Sequence, residues 1–384
     1  MTSRILGEFT TPGWNSLRES RLAGNELRST HRSRELRVSR TLSPALSLSP
    51  DVIAQLRCPR CQVGVERLPE AFQCAACGHQ YPIVLGIPDF RLYEDPLIPL
   101  ADDYRKGERL FAEAEHRRFA ELVAFYWTLP TYPPTPPDLS ARFVHHVLTD
   151  RARIDGFADA LGLGNTFLDV GCGAGMLVQA ANRRFQSSVG ADVGFRWLVV
   201  ARRGLEEAGL PVNLVCCCAD HLPFADGTFD TVASVALLEH VPDAGAVLHE
   251  SARVIGPDGR LFARTSNRFS LAPEPHVRVL GVGFLPRRLM PAYVRWRRGL
   301  AYDKKHLLSR GELARGLRAA GLDAVRFITP TVTEADLAPM GATERLAARC
   351  WLIARRVPVL RQLLSWVFPV LQVVAMRRRG QSPK

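Results

Sequence analysis

A short run in the middle of the chain combines an acid with regularly spaced glycines. Residues 167–175 read Phe-Leu-Asp-Val-Gly-Cys-Gly-Ala-Gly and contain Asp169, Gly171, Gly173 and Gly175. Glycines permit positive φ angles and let a ligand approach the backbone closely. If a helix follows, its free N–H groups can receive a carboxylate. A dinucleotide-binding loop would need glycine where Met176 stands, so this spacing argues against a nicotinamide cofactor.

Two more acids end the next two predicted strands. Asp192 ends the strand predicted at 187–192, and Asp220 follows the strand predicted at 212–218. The carboxyl ends of parallel strands meet at one edge of a sheet, where open α/β sheets bind ligands. A carboxylate at Asp192 can accept hydrogen bonds from both ribose hydroxyls, and one at Asp220 can accept from the exocyclic amine of adenine. The three acids and the glycine loop therefore predict one shared binding crevice.

The elements that must position these residues alternate between helix and strand, as parallel βαβ units do. We expect strands at 166–170, 187–192, 212–218, 229–235 and 259–265, and helices at 175–185, 195–208 and 243–254. Gly256-Pro257-Asp258-Gly259 is typical of a turn before the last of these strands. The fold class is therefore α/β, with a doubly wound, mostly parallel sheet.

Four segments in this region resemble the successive motifs of class I S-adenosylmethionine-dependent methyltransferases. They are the glycine loop, Gly-Ala-Asp-Val-Gly at 190–194, Ala-Asp-His-Leu-Pro-Phe-Ala-Asp-Gly-Thr-Phe-Asp at 219–230 and Leu-Leu-Glu-His-Val-Pro-Asp at 237–243. The most similar branch is the small-molecule (type-11) subgroup that includes quinone methylases. The resemblance covers about residues 140–330 and implies a seven-stranded, Rossmann-like sheet. It also implies that Asp169 and the three glycines line the methionine end of the cofactor, that Asp192 binds the ribose, and that Asp220 and the backbone of His221 lie at the adenine.

Four cysteines before this domain have metal-ligand spacing. Cys58 and Cys61 form one C-x-x-C pair, and Cys74 and Cys77 form a second pair twelve residues later. Two such pairs close a tetrahedral four-sulfur site with no open position, which is typical of structural zinc. With Tyr-Pro-Ile-Val-Leu-Gly-Ile-Pro at 81–88, the segment resembles the small zinc-binding activator subunit of tRNA and protein methyltransferases. A zinc ribbon also precedes the catalytic domain in a family of ribosomal-RNA guanine methyltransferases.

The acceptor side of the site is less clearly marked. His240 follows the fourth strand and is our candidate for a general base, although a capping or buried histidine is an equal alternative. The segment after strand 259–265 looks like a lid insertion found in methyltransferases of polysaccharide, glycolipid and natural-product pathways. Its polar candidates for acceptor contact are Asn267, Glu274 and His276. The zinc-protease pattern H-E-x-x-H is absent at 249–253, because Arg253 stands at the last position.

These observations divide the 384 residues into four parts. We expect a disordered basic arm at 1–50, a zinc-ribbon module at 51–93, a helical and proline-rich linker at 94–139, and the methyltransferase domain at 140–384. Within that domain we expect the acceptor lid at about 266–305 and an amphipathic helical insertion at about 343–368. The insertion is suited to contact with a membrane surface, but packing against the sheet is the favoured explanation of its pattern.

Composition narrows the partners only partly. The net charge of +12 favours anionic surroundings such as nucleic acid or membrane, and Arg287–Arg298 interleaves arginines with Tyr293 and Trp296. The first 40 residues lack the apolar core of a secretory signal, and no stretch is apolar over the roughly 20 residues of a membrane span. We expect a cytoplasmic protein that can make peripheral contact with the inner face of the membrane.

The sequence thus predicts transfer of a methyl group from S-adenosylmethionine to a hydroxyl, amine or carbon of a small-molecule or lipid- or glycan-linked acceptor. An rRNA or tRNA base methyltransferase is the alternative enzyme, favoured by the zinc ribbon and the charge. It is opposed by the absence of an Asn/Asp-Pro-Pro-Tyr-type or Tyr-Ala-Pro-like sequence after the fourth strand, where Ser234-Val-Ala-Leu-Leu-Glu-His240 stands. A non-catalytic scaffold that binds the same cofactor is a third reading, and the intact acids argue against it.

Overall fold

A computed structural model describes residues 45–131, 134–155, 157–329, 337, 341–354 and 356–377. The basic arm expected at 1–50 lies outside the described residues as far as residue 44. Among the described helices, none is both long and apolar enough to cross a membrane.

The cysteine-rich segment forms a small antiparallel sheet. A short helix, α1 (Pro50–Ala54), precedes strands β1 (Val65–Arg67), β2 (Ala71–Cys74), β3 (Gln80–Val84) and β4 (Ile87–Pro88), which pair in sequence order. Phe72 and Tyr81 lie directly opposite each other on β2 and β3, and both are fully buried. These two rings pack with Phe90, whose ring centroid lies 4.7 Å from that of Tyr81, and all three belong to the same apolar core as Leu168 and Val215 of the large sheet.

A seven-stranded sheet forms the centre of the larger domain. Its strands are β5 (Gly164–Val170), β6 (Phe185–Asp192), β7 (Leu214–Cys216), β8 (Phe229–Val235), β9 (Ile255–Ser266), β10 (Arg326–Ile328) and β11 (Val370–Met376). The order across the sheet is β10-β11-β9-β8-β5-β6-β7. Strands β5 to β9 pair in parallel, whereas β11 runs antiparallel to both β9 and β10. The predicted doubly wound, mostly parallel sheet is confirmed.

Helices cover both faces of this sheet. The described ones are α2 (Leu100–Ala114), α3 (Phe119–Tyr126), α4 (Pro137–Asp155), α5 (Ala158–Leu161), α6 (Met176–Ala181), α7 (Phe195–Glu207), α8 (Ala244–Val254), α9 (Met290–Arg298), α10 (Arg310–Ala319), α11 (Ala342–Ala354) and α12 (Pro358–Leu364). Local chemistry sets several of their starts. Asp243 caps α8 by accepting from the N–H of Ala246, and Ser309 with Glu312 forms a capping box on α10.

Two predicted boundaries differ from the structure for identifiable reasons. The expected turn at 256–259 is part of β9, and the register with β8 shifts there, from Phe229 opposite Ile255 to Thr231 opposite Arg260. The turn-forming residues are thus accommodated as an irregularity within the strand instead of ending it. Strand β7 stops at Cys216, although the apolar run continues to Cys218, because the backbone then turns away to reach Asp220.

The cysteine-rich module extends the edge of the large sheet. Asp89 bridges in parallel to Cys216 of β7, and the N–H of Phe90 donates to the Cys216 carbonyl at 2.7 Å. On the other side, Leu56 bridges to Phe224, and the N–H of Arg57 donates to the Pro223 carbonyl at 3.0 Å. Both contacts lie beside the strand ends that carry the predicted cofactor acids. The segment after the module, expected as a linker, supplies α2 and α3, which pack on α7.

Candidate functional site

The glycine loop follows β5 directly and has the backbone that its composition predicts. Gly171 and Gly175 have φ angles of +79° and +76°, in the left-handed region that side chains disfavour. A Cβ atom at Gly171 would lie 3.0 Å from the side chain of Leu237, and one at Gly175 would lie 2.9 Å from that of Ala201. Gly171 and Gly175 are therefore packed closely against these side chains, which leave no room for a larger residue. No atom lies within 4 Å of the place where a Cβ of Gly173 would be, so the loop is open at its tip.

Asp192 at the end of β6 is held against this loop. Its Oδ2 accepts from the N–H of Gly173 at 2.8 Å, and its Oδ1 accepts from the N–H of Gly194 at 2.7 Å. Each oxygen keeps a second lone pair for a ligand hydroxyl. Burial raises the pKa of Asp192 to about 6, although the two N–H groups lower it. The carboxylate is thus fixed in orientation and partly desolvated.

The other two predicted acids lie at the ends of neighbouring strands. Asp169 on β5 is buried, with 2% of its surface exposed. Asp220 follows β7, and its carboxylate accepts from the hydroxyl of Tyr93 and contacts Nδ1 of His221 at 3.1 Å. Burial raises the pKa of Asp220, but the contacts with His221 and Tyr93 outweigh burial and lower it below its usual value. Asp220 is therefore ionised, and the ring of Tyr93, the last residue of the ribbon module, lies beside it.

Two ion-paired residues brace the same strand ends and were not identified from the sequence. Arg91 donates to the Val193 carbonyl at 3.0 Å and to Asp103 at 2.7 Å. Asp103, which is fully buried, accepts from the N–H groups of Phe195 and Arg196 at 3.0 and 3.2 Å. It therefore caps α7 from a distant part of the chain. The end of the ribbon module and the helix that follows it thus hold the turn that carries Asp192.

The turn after β8 brings His240 next to the glycine loop. Leu237 in this turn packs on Gly171, and Ala236 has a positive φ of 55°. The carboxylate of Glu239 is buried and accepts from the hydroxyls of Thr265 and Ser266 at 2.6 and 2.9 Å. These bonds tie the turn to the end of β9, where the lid begins. His240 therefore lies between the predicted cofactor loop and the lid.

Two of the three polar lid candidates join His240 in a hydrogen-bonded row. The Glu274 carboxylate lies 2.5 Å from Nδ1 of His276, and Nε2 of His276 lies 3.1 Å from Nε2 of His240. Nδ1 of His240 lies 2.6 Å from Nζ of Lys305, a residue not identified from the sequence. Burial and the charge of Lys305 lower the pKa of His240 well below its usual value. His240 is therefore neutral at physiological pH.

Asn267, the third lid candidate, is not part of this row. Both N–H groups of its amide donate to carbonyls, those of Trp366 and Phe368, each at 2.8 Å. Its oxygen accepts from the N–H of Phe269 at 3.1 Å. The side chain is buried, with 3% exposed, and its polar groups all have backbone partners. Asn267 therefore ties the start of the lid to the segment after α12.

The four predicted metal-ligating cysteines converge. All four Sγ atoms lie within 4.8 Å of one another, with Cys58 and Cys77 at 3.8 Å and Cys61 and Cys74 at 3.4 Å. A Zn–S bond of about 2.3 Å in a tetrahedron separates sulfurs by about 3.8 Å, so the set fits a zinc ion. Cys58 and Cys74 are buried, whereas Cys61 and Cys77 are exposed. The same geometric criterion also groups Glu239, His240 and His276.

Comparison with known proteins points to one enzyme class. Residues 168–263 match a family described as a methyltransferase domain. The ubiquinone biosynthesis O-methyltransferase of Thiobacillus denitrificans is 32% identical over 237 residues, which cover 61% of this chain and 91% of that protein. The enzyme of the same name from Pseudomonas paraeruginosa is 34% identical over 179 residues, covering 46% and 72%. A solved complex of the Haloferax volcanii Trm112 methyltransferase activator with a methyltransferase contains a chain with 19% identity and a TM-score of 0.43, covering 62% of this chain and 96% of that one.

Proposed function

Because the chain belongs to the class I S-adenosylmethionine-dependent methyltransferases, we propose that it methylates a hydroxyl group of a small-molecule or lipid- or glycan-linked acceptor. The observation that carries the choice of a hydroxyl is the row of proton-exchanging groups around His240. An alcohol or phenol must lose its proton as the new bond forms, and a positioned base assists that loss. The two named relatives are O-methyltransferases, which supports the same choice.

The residues at the crevice fit the cofactor. The open tip at Gly173 leaves space above the loop, and the oriented carboxylate of Asp192 has lone pairs for the two ribose hydroxyls. In this proposal Asp169, Gly171 and Gly175 shape the methionine end, and Asp220 with the backbone of His221 meets the adenine. When bound, S-adenosylmethionine supplies an electrophilic methyl group, whose bond to sulfur breaks with the electron pair left on sulfur. The protein contributes orientation, exclusion of water and a proton acceptor.

The surface of the lid supports an acceptor that is dissolved in or attached to a membrane. Trp296, Leu280 and Phe284 are exposed at 75, 58 and 51%. Tyr293 packs 6.0 Å from the Trp296 ring, and Arg297 lies over that ring at 5.5 Å. Exposed aromatic and aliphatic groups among arginines are typical of protein surfaces that lie in the interface of an anionic bilayer. Peripheral contact of a cytoplasmic protein at this surface would bring the lid to a membrane-borne acceptor.

The four cysteines hold one structural zinc ion in this proposal. The bound ion would fix the ribbon, whose C-terminal residues Phe90 and Arg91 brace β7 and the end of β6. A four-sulfur site has no open coordination position, so the metal takes no part in methyl transfer. Its effect on the active site is indirect, through the strand ends.

Incubation of the purified protein with S-adenosylmethionine carrying a labelled methyl group and fractionated bacterial extract tests the proposal. We expect the label in the organic-soluble or glycolipid fraction, on oxygen. The alternative acceptor is RNA, which the zinc-ribbon module and the basic charge favour. Label in RNA, with heparin retention that collapses at modest salt, would replace this proposal by the RNA methyltransferase.

A further inference from the structure

A row of four polar side chains crosses the acceptor side of the site. It runs from Glu274 through His276 and His240 to Lys305, with successive contacts of 2.5, 3.1 and 2.6 Å. Glu274 is 4% exposed in its side chain, so the carboxylate end of the row is sealed from water. The hydroxyl of Tyr302 lies at the same carboxylate, and burial together with that negative charge raises the pKa of Tyr302. The row therefore has a buried carboxylate at one end and the Lys305 amine at the other.

His240 occupies the middle of this row and has no ring nitrogen left for an acceptor molecule. Nδ1 contacts Lys305, and Nε2 contacts His276. Either contact would have to break before the imidazole could take a proton from substrate. Lys305 differs, because Nζ has one hydrogen-bond partner among the described residues and two further directions available. The terminal amine is thus the group in the row that can touch an acceptor.

Lys305 also lies on the cofactor side of the cluster. The preceding residue, Lys304, donates to the Pro96 carbonyl at 2.8 Å, three residues after Tyr93, whose hydroxyl donates to Asp220. The charge of Asp95 acts on both Lys305 and Asp192. Burial lowers the pKa of Lys305, and the facing carboxylates of Glu274, Glu239 and Asp95 limit that fall. A partly buried amine between the lid and the cofactor acids is placed for general-base work.

We infer that Lys305 is the catalytic base: as a neutral amine it takes the proton of the acceptor hydroxyl, while His240, His276 and Glu274 position it and stabilise the ammonium that forms. The inference rests on the proposed function, since it needs a hydroxyl acceptor. The O–H bond breaks, the proton joins the lone pair of Nζ, and the oxygen keeps the electron pair with which it bonds to carbon. The ammonium then donates to Nδ1 of His240, the Nε2–H of His240 donates to His276, and the Nδ1–H of His276 donates to Glu274. Lys305 returns its proton to water after the product leaves.

This hydrogen-bond pattern accounts for the cluster without a metal ion. Glu239, His240 and His276 are close enough to share a cation. Both ring nitrogens of His240, however, already have partners, the Lys305 amine at 2.6 Å and Nε2 of His276 at 3.1 Å. A cation bound through His240 would have to break one of these two contacts. The two interpretations therefore differ in what a divalent metal does to the reactivity of Lys305.

Competitive acetylation of the whole protein, followed by peptide mass spectrometry, measures the pH at which each lysine amine becomes reactive, and it needs no methyl acceptor. The adjacent, exposed Lys304 serves as the internal control. Lys305 should become reactive at lower pH than Lys304, and Glu274→Gln should lower the midpoint for Lys305 further, by on the order of one pH unit, because a charge that favours the ammonium is gone. Equal midpoints for the two lysines, no response to Glu274→Gln, or protection of Lys305 only by added Mg²⁺ or Zn²⁺ would overturn the inference.

Turnover on the labelled fraction supplies the second measurement. Lys305→Met should reduce kcat at least about 10²-fold and leave calorimetric affinity for S-adenosylmethionine unchanged, whereas Lys304→Met should retain activity. Glu274→Gln should shift the pH profile of kcat in the same direction as the acetylation midpoint. Full activity of Lys305→Met refutes the base. A wild-type protein that binds the cofactor and methylates no hydroxyl refutes the proposed function instead. The acetylation experiment would still show whether the Lys305 amine loses its proton at lower pH than that of Lys304.

Discussion

Replacement of Asp192 by alanine should abolish tight binding of the cofactor. The carboxylate is oriented by the N–H groups of Gly173 and Gly194, and each oxygen keeps a lone pair for one ribose hydroxyl. Hydrogen bonds to a charged group contribute about 1.5–3 kcal/mol each, so the loss of two amounts to about 3–6 kcal/mol. At about 1.4 kcal/mol per tenfold change, the Kd should rise about 10²- to 10⁴-fold.

Isothermal titration calorimetry of the full chain measures this loss. Asp226→Ala is the matched control, because Asp226 is 59% exposed in its side chain and pairs with Arg253 at the surface. Its Kd for S-adenosylmethionine should equal that of the wild type. The melting temperature of both variants must be followed, since two N–H groups lose their acceptor in Asp192→Ala. A folded Asp192→Ala protein with a Kd within about threefold of the wild type would refute the assignment of this acid to the ribose.

Three further predictions follow from the same geometry. Burial raises the pKa of Asp192 to about 6, and the protonated acid loses an acceptor. Affinity for S-adenosylmethionine should therefore be constant well above pH 6 and fall by up to about tenfold per pH unit below it. A calorimetric affinity that stays constant from pH 5 to 8 would contradict this. The double variant Cys58→Ser/Cys61→Ser should lose the roughly one zinc ion per chain of the wild type and bind the cofactor more weakly. The control Cys350→Ser, at an exposed cysteine, should keep its zinc and its cofactor affinity. Full metal content of the double variant in elemental analysis would exclude the four-cysteine zinc site. Trp296→Ala should reduce co-sedimentation of the protein with vesicles that contain anionic lipid. The control Leu163→Ala, at a residue 73% exposed beside the amino end of β5, should not reduce it. Equal vesicle binding by the two variants would exclude the lid surface as the membrane contact.

The parts of this protein that the sequence predicts are those encoded by neighbouring residues. The glycine loop, Asp192 and the two C-x-x-C pairs each depend on spacing within one or two elements. Their geometry follows from local rules: glycine permits the positive φ of Gly171, and two short knuckles bring four sulfurs together. The order of the sheet follows from the alternation of helix and strand, and only the boundaries differ, as at 256–259, where a turn pattern is absorbed into β9.

The acceptor side depends on contacts that no local pattern encodes. His240 meets Lys305 across 65 positions and His276 across 36, so the row exists only once the lid folds back over the turn after β8. Asn267 is polar and lies in the same lid segment as Glu274 and His276, but its amide N–H groups donate to backbone carbonyls of a distant segment. Asp103 caps a helix 92 positions away. At this turn the sequence offered His240 as a candidate base, and it gave no sign of the residues that would contact it.

Transfer of labelled methyl from S-adenosylmethionine by the purified full chain, assayed in parallel with Asp192→Ala on the same extract fractions, tests the central claim most directly. The account predicts label on a hydroxyl oxygen of an organic-soluble or glycolipid acceptor with the wild type, and little or none with the variant. Label that appears equally with both proteins, or only in RNA, would contradict it.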